Sequence, residues 1–389
     1  MSEHPFADLQ KSFDQGQAAQ MLATLAQTFL EQKKFHELFE ARKMELRNRL
    51  GLSIQTGDGS DKLDEARRQK LEEGLLAACR EVGTLLLQAG RVRDGWMYMR
   101  PVGDKELASN LLSKIEPDED NTEELIEVFL HEGVDVGRGF ELVLTAYGTC
   151  SSITTYDSGV ARLPRKEQAP AARALLKRLH ADLVASVKND IARQEGAHPT
   201  ATTLKELVHD REWLFQGHSY HIDTTHLAST VRIARACDKP EDFRLALDLT
   251  EYGRRLDQQF QYPGDEPFAE TYPSHALFFA ALLGENVDEA LAYFRQKAEM
   301  LDAHYQGMAP IEGYVDLLAR LGRNEEALTE AIRLTPAGAQ PIGYAPSLIE
   351  LAKLSGNYDA VLAYCEQKGD LLGYAAALVE KASHAKTVA

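Results

Sequence analysis

Apolar residues recur at helical spacing along most of this 389-residue chain. The pattern is clearest in four segments: Ala19–Leu30, Phe35–Leu50, Leu63–Gln88 and Glu167–Gln194. Apolar residues three and four positions apart lie on one face of an α-helix. No convincing run of alternating apolar residues occurs, and the only β-leaning phrase, Ser151–Tyr156, is short. We therefore predict an all-α protein.

Residues typical of helix ends separate these segments. Asp61 and Thr202 or Thr203 are predicted N-caps, and Glu206 stands three residues after Thr203, the spacing of a capping box. Glycines follow apolar runs, as they do at helix C-termini, at Gly51, Gly90, Gly196, Gly284, Gly322 and Gly356. Loops are predicted at Gln55–Asp61, Glu195–Thr200 and Gln261–Pro273.

A phrase of glycine, acidic and small residues recurs in the C-terminal third. It reads LGENVDEALAYF from Leu283, LGRNEEALTEAI from Leu321 and SGNYDAVLAYC from Ser355. The marker glycines are 38 and 34 residues apart, and a period of about 34 is that of the tetratricopeptide repeat. The phrase resembles the second half of that repeat, from the inter-helix turn through its second helix. The first-half signature of Trp, Leu-Gly and Tyr is absent from all three copies.

This TPR-like resemblance is clearest in residues 276–368, with weaker echoes from Phe29, Leu87 and Ala236. It implies a curved solenoid of antiparallel helix hairpins, interrupted here by irregular central loops. We expect a single helical-repeat array over residues 1–389. Helix hairpins are expected in 1–115, loop phrases and a candidate pocket in 116–275, and TPR-like repeats in 276–389. The resemblance also implies a bias towards binding a protein or peptide on the concave face.

The charge balance restricts the partners. The chain has 60 acidic and 43 basic residues, a formal charge of −17. Because phosphate binding needs clustered Lys and Arg, we expect neither nucleic acid nor an anionic membrane as a partner. Nine acidic residues and no Lys or Arg lie between Glu116 and Asp135. This block is interpreted as a solvated loop and helix start, with a docking surface for a basic partner as the alternative.

The N-terminus lacks a signal-peptide pattern, and no run of 18 uncharged apolar residues is present. The four cysteines, Cys79, Cys150, Cys237 and Cys365, are far apart and form no CxxC motif. Such spacing is typical of reduced thiols, so we predict a cytoplasmic protein.

Three central phrases, Tyr147–Asp157, Trp213–His226 and Gln259–His275, concentrate Tyr, His, Asp and hydroxyl residues. Imidazoles and carboxylates at spacings of three residues can share a helix face and bind a divalent metal. The candidate ligands are His218, His221, Asp223, His226, Glu270 and His275. The alternative is that Asp223 caps a helix and the histidines are ordinary loop residues. No HExxH signature occurs, so no cofactor is predicted and a metal remains the open alternative.

The same phrases hold candidates for catalysis and ligand binding. Cys150, in a hydroxyl-rich bend after Gly148, is a candidate nucleophile if a histidine lies beside it; an inert cysteine is the alternative. Aromatic walls with a few acids suit a sugar, a peptide or a cationic ligand. The candidates are Tyr147, Tyr156, Tyr220, Tyr262, Asp265 and Tyr272, with core packing as the alternative. The basic stretch Arg162–Arg178 is interpreted as the solvated face of a helix.

Two functions follow. The first is a cytoplasmic helical-repeat protein that binds a partner protein or peptide on its concave face. The second is an enzyme or small-ligand-binding protein with a central His/Asp/Tyr/Cys pocket. The second function would be favoured if one cavity held Cys150, His221, His226, Asp265 and His275.

Overall fold

The computed structural model describes residues 5–54, 63–300, 307–336 and 342–388. Every regular element in these ranges is helical, which confirms the all-α prediction. No helix in the same ranges combines the length and apolar character that crossing a membrane requires. The chain divides into two compact units, Met1–Ala146 and Tyr147–Ala389.

The N-terminal unit contains short and medium helices that pack on their neighbours in sequence. They are α1 (Pro5–Asp14), α2 (Ala18–Glu31), α3 (Phe35–Arg49), α4 (Glu65–Gln88), α5 (Val92–Val102), α6 (Lys105–Leu112), α7 (Thr122–Ile126) and the start of α8 (Val136–Ser158). A π-helical turn, Glu127–His131, follows α7. One apolar cluster joins α2, α3 and α4 through Ala26, Leu38 and Val82. A second joins α4, α5 and α6 and extends to Phe129.

The C-terminal unit is centred on one long helix. Its helices after α8 are α9 (Arg165–Glu195), α10 (Leu204–Val208), α11 (Thr224–Ile233), α12 (Pro240–Gly253), α13 (Thr271–Leu282), α14 (Val287–Glu299), α15 (Ala309–Arg320), α16 (Asn324–Leu334), α17 (Leu348–Ser355), α18 (Tyr358–Lys368) and α19 (Leu371–Val388). The apolar stripe of α9, from Ala169 to Ile191, is buried against α10, α11 and α12. From α12 to α19 each helix packs on the next one along the chain.

Local sequence explains where these helices begin and end. The four segments with helical spacing correspond to α2, α3, α4 and α9. Thr203 caps α10 by accepting the backbone N–H of Glu206 at 3.3 Å, as predicted. Gly356 ends α17 with a φ of 75°, a conformation that only glycine adopts at little cost. The predicted cap at Asp61 and the loop Gln55–Asp61 lie outside the described residues.

One helix contains a break. Gly148 has φ 76° and ψ −177° inside α8, so the helix changes direction there. The β-leaning phrase Ser151–Tyr156 lies in the helical segment that follows. Its hydroxyls are accommodated by bonding back to the preceding turn, as when Ser152 Oγ donates to the Gly148 carbonyl at 2.9 Å.

Candidate functional site

A cavity of about 550 Å³ opens in the C-terminal unit among α11, α13, the start of α15 and two loop segments. A smaller chamber of about 90 Å³ reaches towards the beginning of α9. Arg232, Arg235, Phe268 and Tyr344 line both spaces. We call the two chambers together the central cavity. Two arginines and two aromatic rings are therefore common to both chambers.

Helical spacing sets the position of this pair. Arg232 lies in the last turn of α11, and Arg235 lies in the 3-10 turn Ala234–Ala236 that continues it. Residues three apart lie on one face of a helix, so both reach the same space. From α15, Arg320 donates to the carbonyls of Arg235 at 2.6 Å and of Cys237 at 2.5 Å. Arg320 thus fixes the backbone that carries Arg235.

Two arginines of the cavity have carboxylate partners. The guanidinium of Arg232 donates to both oxygens of Asp157, at 2.9 and 2.8 Å. Arg165 donates to the buried carboxylate of Asp316 and to the Tyr344 carbonyl. These pairs neutralise two of the three positive charges at the cavity.

Arg235 differs from these two arginines. Its Nε donates to the Arg232 carbonyl at 3.2 Å, and its Cζ lies 4.4 Å from the ring centroid of Phe268 and 5.3 Å from that of Tyr344. No carboxylate among the described residues pairs with it. Burial lowers the pKa of Arg235, because an apolar environment disfavours the charged form. A guanidinium that pairs with no carboxylate of the described residues therefore lines the cavity.

His275 on α13 also lines the cavity, and its side chain is 2% exposed. Its Nδ1 lies 2.6 Å from the Thr271 carbonyl, and its ring stacks on Phe268 with 4.3 Å between centroids. Its Nε2 is buried and has no hydrogen-bond partner among the described residues. Burial, together with the charge of Arg235, places the pKa of His275 well below its usual value of 6.5.

A short segment, residues 342–346, closes one side of the cavity; we call it the strap. Glu312 of α15, which is 5% exposed, accepts the strap's backbone N–H groups of Ile342 at 2.5 Å, Tyr344 at 2.6 Å and Ala345 at 3.3 Å. Hydrogen bonds to a carboxylate are stronger than neutral ones. This single side chain therefore positions Tyr344 over Arg235.

The opposite rim is the loop from Tyr262 to Phe268. Thr271 donates its hydroxyl to the Tyr262 carbonyl at 2.5 Å, and Lys297 pairs with Glu266 at 2.8 Å. Gly313 allows this loop to approach α15, because a Cβ there would lie 2.9 Å from Pro267 Cγ. Asp265 is exposed at the rim.

Of the predicted ligand-binding residues, three line the central cavity. Tyr156 is buried and donates its hydroxyl to Gln168 at 2.8 Å, while Tyr262 and Asp265 lie at the rim. Three others lie outside it: Tyr147 is exposed on α8, Tyr220 is exposed and packs on Phe260, and Tyr272 is fully buried. Tyr272 is thus a core residue, as the packing alternative predicted.

The metal candidates are dispersed. Exposed His218 lies 2.9 Å from Asp257, and buried His221 lies between the Tyr252 hydroxyl, 2.9 Å away, and Asp190, 3.2 Å away. Asp223 caps α11 by accepting the N–H groups of Thr225 and His226, as the alternative interpretation predicted. Glu270 faces a second cavity on the other side of α13. Within the described part of the chain, no group of three or more His, Cys, Asp or Glu is arranged to hold a metal ion.

The five residues whose convergence was in question do not meet in one place. Asp265 and His275 share the central cavity, whereas Cys150, His221 and His226 do not line it. Cys150 is a free, exposed thiol on α8. The geometry therefore does not assemble a cysteine–histidine pair at this cavity.

Sequence reasoning missed the basic residues of the cavity. The sequence pattern places Arg165 and Arg173 on a solvated helix face, but in the structure they pair with the buried carboxylates of Asp316 and Asp242. The signal that could have revealed the site is the spacing of Arg232 and Arg235 in an otherwise apolar helix end. Two arginines three residues apart lie on the same face of a helix, but their spacing does not show which residues pack against that face.

A scan against protein-family models finds no matching family, and a search of the curated proteins finds no match to the chain.

Proposed function

We propose that the C-terminal unit binds a small organic anion in the central cavity. The observation that carries this proposal is Arg235, a guanidinium at the cavity without a carboxylate partner among the described residues. A buried charge costs several kcal/mol unless it is paired, and the aromatic contacts of Phe268 and Tyr344 offset about 1–2 kcal/mol of this. A carboxylate or phosphate would use the remaining Nη–H donors.

The shape of the cavity supports the same proposal. Its volume of about 550 Å³ falls in the range of small-molecule sites, and its walls combine aromatic rings with charged and polar side chains that can orient a ligand. The sequence leaves a sugar, a peptide or a cationic ligand open, but in the structure arginines line both chambers and Asp265 is exposed at the rim. An anion with an aromatic or apolar body therefore fits this lining best.

Calorimetry with phenylacetate, phenyl phosphate and benzylamine tests the proposal. The two anions are expected to bind, and the cation is not. Arg235→Met should weaken anion binding roughly 10- to 100-fold, the value of one charged hydrogen-bonded contact. Arg178→Met, which removes an exposed arginine paired with Asp182 on α9, is the matched control and should leave binding unchanged. Equal binding by Arg235→Met and the unaltered protein would refute the proposal.

A second candidate function is the docking of a protein or peptide by a cytoplasmic TPR-like solenoid. It is favoured by the exposed apolar side chains of the last helices, Leu354, Leu371, Leu372 and Val379. The packing of each helix from α12 to α19 on the next is compatible with stacked hairpins. A pull-down with the full chain and with a Leu371→Ser/Leu372→Ser variant tests it. A specific partner retained by both forms would exclude docking through this surface.

A further inference from the structure

Arg232 lines both chambers of the central cavity, as Arg235 does. The two arginines are three positions apart, where α11 continues into its 3-10 turn. On a helix surface, residues at this spacing have their Cβ atoms about 5–6 Å apart. Two guanidinium groups so close together can share one anionic head group, provided that neither is engaged elsewhere.

Arg232 is engaged by Asp157. Its Nη2 donates to both oxygens of that carboxylate, at 2.9 and 2.8 Å. Asp157 lies in the last turn of α8, beyond the break at Gly148, and the two paired side chains are 42% and 43% exposed. A half-exposed ion pair of this kind contributes little to the stability of a fold. It does, however, cancel one of the positive charges that line the cavity.

The other charged side chains complete the charge count of the cavity. Arg165 pairs with Asp316, and Glu266 pairs with a lysine of α14. Asp265 is exposed at the rim, where water and salt screen its charge. Arg235 is then the one lining guanidinium without a carboxylate partner among the described residues. A monoanion balances this charge, whereas a dianion brings a second negative charge that loses water without gaining a partner.

We propose that the central cavity is selective for monoanions, and that Asp157 sets this selectivity by neutralising Arg232. The inference rests on the proposed anion-binding function and adds the charge class of the ligand: a carboxylate or a phosphodiester rather than a phosphate monoester. Asp157 acts through Arg232 and needs no contact with the ligand. Without its carboxylate, Arg232 would supply a second positive charge, and the preference would shift towards dianions.

Titration calorimetry with three probes measures the selectivity of the unaltered protein. At about pH 7.5 phenyl phosphate carries close to two negative charges, whereas phenylacetate carries one. Methyl phenyl phosphate has the tetrahedral head group of phenyl phosphate but a single charge, so it separates charge from shape. Both monoanions are expected to bind more tightly than phenyl phosphate. A dianion that binds more tightly than both monoanions would overturn the inference, and this comparison does not depend on the folding of any variant.

Asp157→Asn removes the carboxylate charge with little change in side-chain size. The released guanidinium of Arg232 can donate charged hydrogen bonds to the second negative charge of phenyl phosphate. The affinity of this variant for phenyl phosphate, relative to phenylacetate, should therefore rise about 10-fold. Because the expected result is a gain of affinity, a damaged fold would not produce it.

Asp182→Asn is the matched control. Asp182 pairs with Arg178 on α9, and the two side chains are 48% and 54% exposed, close to the values of the pair at the cavity. Neither residue lines the central cavity, so the ratio of the two affinities should not change.

The outcomes separate the inference from the proposed function. If Asp157→Asn binds the probes with the affinity ratio of the unaltered protein, the inference is overturned while anion binding stands. An equal shift of the ratio in Asp182→Asn would also overturn it, because the change in total charge would then explain the result. If no probe binds to the unaltered protein, the inference and the proposed function both fail.

Discussion

Replacing Arg235 with methionine is expected to weaken anion binding while changing the free energy of unfolding only slightly. Methionine retains an apolar stem between Phe268 and Tyr344 but removes the charge. The pKa of Arg235 is lowered by burial, so folding disfavours its charged form. Arginine stays protonated at every accessible pH, so this cost is present throughout the pH range.

The size of the effect follows from the contacts of Arg235. Replacing buried ionic groups by apolar residues of similar volume can stabilise a protein by about 1–4 kcal/mol, and we apply this range to Arg235. Against this, the variant loses two cation–π contacts of about 0.5–1 kcal/mol each. It also loses one hydrogen bond to the Arg232 carbonyl, about 1 kcal/mol. The gain of about 1–4 kcal/mol and the loss of about 2–3 kcal/mol nearly cancel, so we expect the free energy of unfolding of the ligand-free variant to stay within about 2 kcal/mol of that of the unaltered protein.

Thermal unfolding without ligand measures this change. For a unit of this size, about 1 kcal/mol corresponds to roughly 2–4 °C in Tm. Arg320→Met serves as the contrast, because Arg320 donates to the carbonyls of Arg235 and Cys237. That variant is expected to lose about 2–4 kcal/mol. If Arg235→Met lost more than about 2 kcal/mol, Arg235 would be a structural residue and the reasoning would be refuted.

The remaining predictions concern His275, the packing of α12 on α13, and the strap. The pKa of His275 is lowered in the folded state, so the unfolded chain takes up its proton first and stability falls as pH drops below about 6.5. Urea titrations at pH 6 and pH 5 give the free energy of unfolding of the unaltered protein and of His275→Phe. Over this interval the unaltered protein should lose about 1 kcal/mol more of this free energy than the variant, and an equal pH dependence of the two proteins would contradict the prediction. Gly253→Ala should destabilise the protein by about 1–3 kcal/mol, because the new Cβ would lie 2.3 Å from a buried tyrosine ring. Gly159→Ala is the control, because its Cβ would lie 3.6 Å from the nearest neighbouring atom, and it should cost less than about 1 kcal/mol in the same denaturation assay. Glu312→Ala should release the strap, because the carboxylate accepts the strap's backbone N–H groups. Limited proteolysis is then expected to cut faster at residues 342–346, and the affinity for the anion should fall about tenfold. An unchanged rate of cleavage would exclude the anchoring role of Glu312.

Helix positions in this protein could be predicted from the sequence because helix formation is local. The apolar stripe of α9 and the caps at Thr203 and Asp223 depend on residues within a few positions of one another. For the same reason the sequence offers a cap as the alternative to a metal ligand at Asp223, and the structure shows the cap. The repeat phrase correctly marked the helix starts near Val287, Asn324 and Tyr358.

The candidate site could be predicted only in fragments. The phrase Gln259–His275 was singled out for its composition, and Tyr262, Asp265 and His275 from it do line the central cavity. The sequence makes His221 a candidate metal ligand, yet both of its ring nitrogens contact residues distant in sequence, Tyr252 and Asp190. No local pattern distinguishes a histidine with two such partners from one with none.

Local spacing and composition suffice to predict that this chain is helical, where several of its helices lie and that its overall charge is negative. Which of its charges are neutralised depends on tertiary contacts. Arg165, Arg232 and Arg235 look alike in the sequence, but two meet carboxylates and the third meets aromatic rings. The interaction of a charge depends on the burial and on the partners that packing supplies, and these come from segments up to 179 residues away along the chain.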